Sequence, residues 1–136
     1  MVEATARFVK LKMKEWKESN LVLMKEAISV LLVMTQHCED IPKRAVAIYT
    51  PFLCDKIGDI KLNGPIKEEL LNCAEFCTAK FISVQVVKKG LEAKAPNNIK
   101  ESCNFLTSLV QDFGAGRVAI KEVIDFAVNS SNNANK

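Results

Sequence analysis

The chain has 136 residues, 49% hydrophobic and 26% charged, enough for one compact domain that buries roughly 68% of the surface its unfolded form exposes. Its 19 basic and 16 acidic residues give a formal charge of +3, too small a bias to argue for nucleic acid, and the few aromatics show no alternation with basic residues that would stack unpaired bases. Five cysteines with no signal peptide, and no apolar run long enough to span a bilayer, predict a soluble protein of the reducing cytosol, without a membrane partner.

Apolar residues recur at helical spacing almost throughout. Val2, Ala6, Val9 and Met13 form a first stripe, and Leu21, Met24, Ile28, Leu31 and Leu32 a second. Asn20 is the expected cap of the second helix, and the run from Gln36 to Pro42 marks its end, because proline cannot continue a helical ladder. A third helix starts near Lys43 and uses Val46, Tyr49, Leu53 and Ile57; Pro51 is expected to bend it rather than split it. Gly58 offers a stop, and Asn63-Gly64-Pro65 reads as a turn whose proline suits the first position of a fourth helix faced by Ile66, Leu70, Cys73, Ala74 and Cys77.

Val84, Val87 and Leu91 mark a fifth helix. The loop Ala95-Pro96-Asn97-Asn98 leads to a sixth, faced by Ile99, Cys103, Leu106, Val110 and Phe113 and ended by Gly114 and Gly116. A seventh runs from about Arg117 to Val128, and the polar tail at residues 129–136 is expected to fray, since it has too little apolar area to offset its ordering entropy. Strands find little support. Asn-rich loops near Asn20, Asn63, Asn97 and Asn132 recur at about 43 residues once and about 35 twice, the range of paired-helix repeats. The expected fold is therefore all-α, a right-handed α-α superhelix of about three to four stacked helical pairs, whose turns within pairs share one edge.

No chemistry is legible beside this pattern. Cys73 and Cys77 stand four apart on the apolar stripe of the fourth helix, where free cysteine acts as a small hydrophobe, and His37-Cys38 supplies no second half of a metal site. The single histidine has no supporting third group, and no phosphate loop or nucleophile elbow is present, so no enzyme, cofactor, metal or small-molecule substrate is expected. The lysines at 10, 12, 14 and 17 are interrupted by Glu15, flanked by Glu3 and Glu18, and read as a solvated helix face.

Three segments carry a resemblance. Glu15-Trp16-Lys17-Glu18-Ser19-Asn20 resembles Gly-Trp-Lys-Glu-Thr-Asn at the second-repeat turn of the third TOG domain in the ch-TOG and mini spindles family of microtubule polymerases. Asp55-Lys56-Ile57-Gly58-Asp59-Ile60-Lys61 is similar to that family's Asp-Lys-Ile-Gly-Asp-Val-Lys at the third turn, at the matching separation, and Gln111-Asp112-Phe113-Gly114 resembles the Glu-Phe-Gly that closes the fourth repeat.

The resemblance implies HEAT repeats whose intra-repeat turns contact αβ-tubulin and promote microtubule assembly, without chemistry, in a protein of the cytoskeleton at microtubules and spindle poles. A whole TOG domain has about six repeats; the match here covers the end of the first, the second to fourth, and the opening helix of the fifth, a partial domain. The family's first-repeat tryptophan, in a Trp-Lys-x-Arg setting, has no counterpart, since Trp16 aligns with the second repeat. Carried onto matching turns, the expected tubulin contacts are Trp16, Lys17 and Ser19, then Lys61 and Asn63, then Asn97, Asn98 and Lys100, with Trp16 either an interface anchor or packed against the next repeat, the packing being the expectation. Without the turn identities, the same solenoid reads as a generic HEAT scaffold for another protein.

Overall fold

Helical spacing in the sequence becomes helix over most of the chain. The computed structural model describes the backbone at residues 2–15 and 17–134, with side chains described as far as residue 130. Among these residues there are seven α-helices and no strand: α1 (Val2–Lys12), α2 (Leu21–His37), α3 (Lys43–Lys56), α4 (Asn63–Cys77), α5 (Ala79–Glu92), α6 (Pro96–Phe113) and α7 (Ile120–Ala134), with a 3-10 turn at Ala115–Arg117 before the last.

The helices form two layers. α1, α3, α5 and α7 lie side by side in one, α2, α4 and α6 in the other, and α3 packs on α4 and α5 on α6 across the stack. This is a HEAT-like solenoid of three pairs and an extra helix. Neighbours within a layer run the same way. Arg44 Nε donates to Glu3 Oε2 at 2.6 Å, joining the starts of α1 and α3. Lys67 pairs with Glu101 near the starts of α4 and α6, and the Ala119 N–H donates to Ser83 Oγ at 3.0 Å where α7 approaches the first turn of α5.

Local chemistry sets the ends of these elements. Asn20 Oδ1 accepts from the Val22 N–H at 3.0 Å and caps α2, satisfying a donor that has no partner inside the helix. α3 passes through Pro51 unbroken. α4 begins at Asn63, ahead of the proline expected to open it, so Pro65 falls within its first turn, where a missing N–H costs no ladder bond. Thr78 alone separates α4 from α5, at φ 84 and ψ 143, and Gly114 repeats that conformation after α6 at φ 88 and ψ 151. Glycine adopts this region freely and a β-branched residue does not; the Thr78 hydroxyl offsets part of that strain by accepting from the Phe81 N–H at 3.2 Å.

The expected stripes of the first four helices face the core: Val46, Tyr49, Leu53 and Ile57 of α3, and Ile66, Leu70, Cys73, Ala74 and Cys77 of α4, are all buried. Two stripes are rotated from expectation. α5 buries Ile82, Val86 and Val87 and leaves Val84 and Leu91 exposed, because α3, α4, α6 and α7 surround its other faces. α6 seals the core with Phe105, Leu106 and Leu109, while Ile99, Cys103, Val110 and Phe113 are only half-buried. The seventh helix continues to Ala134, beyond the end expected at Val128, so residues 129–134 of the expected tail have helical backbone.

At the centre, one polar cluster ties three helices. Thr35 Oγ1 of α2 donates to Glu69 Oε2 of α4 at 2.7 Å, Cys73 Sγ lies 3.4 Å from Glu69 Oε1, and Tyr49 OH of α3 lies 3.1 Å from Cys73 Sγ. Glu69 is wholly buried. Burial pushes its carboxyl up to about 7, against which the hydrogen bonds from Thr35 and Cys73 act to lower it. Burial likewise raises the Cys73 thiol and the Tyr49 phenol.

A carboxyl whose folded pKa is raised from 4.5 to about 7 holds its proton more tightly in the fold than in the unfolded chain. Its contribution to stability is therefore greatest below about pH 4.5, declines as the pH climbs to about 7, and is flat above that. Glu69→Gln keeps an acceptor for Thr35 and has no charge to bury. The variant should gain on the parent by up to about 3 kcal/mol between pH 4.5 and 8; urea unfolding midpoints across that range measure the difference, and a gap independent of pH would contradict it.

α7 docks on α5 at Gly90, where a Cβ would stand 2.5 Å from Phe126 Cζ. Helix propensity alone would make Gly90→Ala stabilising by about 1 kcal/mol, but the overlap with a buried ring should reverse the sign to a loss of about 1 to 3 kcal/mol. Urea denaturation of Gly90→Ala in the parent and in a Phe126→Leu background tests this, with the loss expected to shrink in the second.

Candidate interaction edge

Every turn that leads from the odd layer to the even layer falls on one edge, because neighbours within each layer run parallel. The first such turn closes α1 with two left-handed residues, Lys14 at φ 53 and Glu15 at φ 54, and the Glu15 N–H donates to Lys10 O at 2.8 Å. Glu15 stands where the resembled motif has glycine, the residue this backbone favours. Glu18 then folds under the turn, accepting from the N–H groups of Ser19 at 2.9 Å and Asn20 at 3.0 Å. The Asn20 N–H, with help from Ser19 and Lys14, holds the Glu18 carboxyl below its ordinary range. With Asn20 capping α2, the motif's Glu and Asn build the turn, and Lys17 and Ser19 are left exposed.

The second turn, from Ile57 to Leu62, hangs on Asp59. Its Oδ1 accepts from the Lys61 N–H at 2.8 Å, and its carbonyl accepts from the N–H groups of Leu62 at 3.0 Å and Asn63 at 2.8 Å. Ile57 and Leu62 anchor the turn in the core. Between them Ile60 is 82% exposed, the largest exposure of any large apolar side chain described, and Lys61 is exposed beside it.

The third turn is clamped onto the second. Asn97 Nδ2 donates to Gly58 O, and Asn98 Nδ2 donates to Asp55 O at 2.9 Å, satisfying carbonyls that the end of α3 leaves open. The approach leaves no room for a side chain at residue 58: a Cβ on Gly58 would lie 2.0 Å from Asn98 Oδ1 and 2.7 Å from the Asn98 backbone nitrogen. Lys89 adds a pair to Asp55 at 3.7 Å.

The residues expected to contact a partner thus divide. Lys17, Ser19, Lys61 and Lys100 are exposed on the edge, and none of the three lysines forms an ion pair among the described residues. Asn97 and Asn98 lie in the first turn of α6, not in the loop before it, and their amides bond the end of α3; Asn63 is the half-buried first residue of α4. Trp16 lies outside the described residues. Sequence reasoning missed Ile60, whose signal is an isoleucine between two charged residues of a turn too short to turn it inward.

The chain is 27% identical over 111 residues to Protein MOR1 of rice, and 24% identical over 111 residues to Protein MOR1 of Arabidopsis thaliana; each match covers 82% of this chain. The chain spans about 6% of the length of these curated relatives. No family model matches it, and no solved structure matches it.

Because the obstruction at Gly58 includes backbone as well as side chain, Gly58→Ala should displace the corner and cost about 1 to 3 kcal/mol. Urea unfolding measures the loss, and hydrogen exchange should show faster opening at residues 55–62 and 95–100 than at α1; an unchanged midpoint would mean the two turns are not clamped.

Proposed function

We propose that the chain is a non-enzymatic cytoskeletal interaction module of the TOG type, which binds αβ-tubulin through its odd-to-even turns to promote microtubule assembly. The observation that carries this reading is the common edge. The turns that resemble TOG motifs share one flank of a rigid stack, the second and third are joined by the Asn97 and Asn98 bonds, and the flank presents Lys17, Lys61, Lys100 and the apolar knob of Ile60. Lysines on a fixed edge steer and orient an acidic partner more than they add affinity, and a single apolar side chain among them supplies contact area that expels water. In this reading Ser19, Asn63, Asn97 and Asn98 shape the edge or lie at its margin, and the relation to the plant MOR1 proteins supports it at the level of family.

A second reading is favoured by one specific observation. Glu18, Asn20, Gly58 and Asp59, the most motif-like residues, all build turns, and any HEAT scaffold would need such turns whatever its partner. Tubulin binding separates the two. The chain should co-elute with soluble αβ-tubulin at micromolar concentration. Lys61→Glu combined with Lys100→Glu should weaken that association roughly tenfold, the size of two exposed ion pairs at about 0.7 kcal/mol each, and Ile60→Glu should weaken it further. Binding unchanged by all three substitutions, or no co-elution, favours the generic scaffold.

A further inference from the structure

The outer side of the odd layer carries apolar side chains in the middle of the stack. α5 is flanked by α3 and α7 and backed by α4 and α6, so its exposed residues point away from the core. Its outward stripe is Phe81, Val84, Lys88 and Leu91. Leu91 is 60% exposed, Val84 is also exposed, and Phe81 is half-buried with the Lys43 ammonium 5.7 Å from its ring centroid. α3 continues the face with the exposed Ala47 and the half-buried Pro51. Steps of three, four and three residues along α5 are those of a helix-to-helix seam, and this seam lies opposite the buried stripe of Ile82, Val86 and Val87.

The same face is basic. α3 and α5 each carry three cations against one acid, together a larger excess than that of the whole chain. Both acids, Asp55 and Glu92, are engaged by Lys89 at 3.7 and 3.5 Å, and Arg44 pairs with Glu3 of α1. Lys43, Lys80 and Lys88 are exposed and form no ion pair among the described residues. Lys88 stands within the apolar stripe, where a helix packed along the seam must answer it with a carboxylate. A membrane surface fits less well, because insertion needs large apolar side chains that project past the cations, whereas the Phe81 ring is recessed under Lys43.

We propose that this face docks an amphipathic α-helix of a partner protein, whose apolar stripe lies along α5 and whose flanks are acidic. Val84 and Leu91 lose water against the partner's apolar stripe, Lys88 meets a carboxylate within the seam, and Lys43 and Lys80 meet carboxylates at its borders. The face looks outward from the odd layer, whereas Lys17, Lys61 and Lys100 occupy the turn edge. The proposal therefore does not rest on tubulin binding, and its test contains no tubulin.

Two stapled helical peptides serve as probes, both with leucine at the seam positions, one with glutamate and the other with lysine at the flanking positions. By isothermal titration calorimetry the glutamate peptide should bind one-to-one in the micromolar range, roughly tenfold tighter than the lysine peptide, and amide shifts should cluster on α3 and α5. Lys80→Glu combined with Lys88→Glu should reverse the preference between the peptides, and Leu91→Glu should weaken the glutamate peptide about tenfold. All three residues are exposed, and far-UV circular dichroism checks that each variant folds; Val84→Gln is a second, uncharged test of the stripe. No binding of the glutamate peptide, equal binding of the two peptides, or a preference unchanged by the lysine substitutions overturns the proposal. Binding to vesicles of phosphatidylserine and phosphatidylcholine without binding of the glutamate peptide also overturns it and assigns the face to a membrane.

Discussion

Burial of apolar helix faces against the neighbouring pair is the interaction on which this structure depends. A single helical pair cannot hide its stripes: α3 presents Val46, Tyr49, Leu53 and Ile57 inward, and α4 presents Ile66, Leu70 and Cys73. Those faces disappear from water only when α1 and α2 cover them on one side and α5 and α6 on the other. Repetition makes the stack regular, and regularity brings alternate turns onto one edge. The candidate edge is thus a consequence of how the core is buried, not of any attraction between the turns.

Within that core, the contact of Thr35, Tyr49 and Cys73 around Glu69 gives α2, α3 and α4 a fixed register that apolar packing alone would leave looser. A buried carboxyl is costly to ionise, and its partners reduce the cost only by holding their places. The same discipline appears between repeats two and three of the chain, where Asn97 and Asn98 bond carbonyls at the end of α3 and Gly58 gives them room. Polar groups here set positions, and apolar groups supply most of the driving force.

The outward-facing residues divide in the same way. On the turn edge, the side chains of Lys17, Lys61, Lys100 and Ile60 are exposed, while the backbone bonds of their turns are made beneath them. At the ends of the stack, Leu11, Val33, Ile124 and Val128 continue the logic of the core into open surface. One surface is polar with a single apolar knob, and the other is apolar.

Helical spacing, the Asn20 cap, the stripes of the first four helices and the paired-helix period were legible in the sequence because each depends on residues within a few turns of one another. The resemblance to TOG turns was legible for a related reason: Glu18 and Asp59 bond the backbone of their own turns, so their identity is visible in short motifs. What only the tertiary structure decided depends on contacts between distant segments. The rotation of the α5 and α6 faces follows from which helices surround them, and the work of Asn97 and Asn98 follows from the approach of α6 to α3 across a whole repeat. The burial of Glu69 depends on the stack closing over it, and the exposure of Ile60 on the turn that Asp59 holds. Local periodicity specifies which elements form; burial and exposure belong to their assembly, because the neighbours that remove water come from elsewhere in the chain.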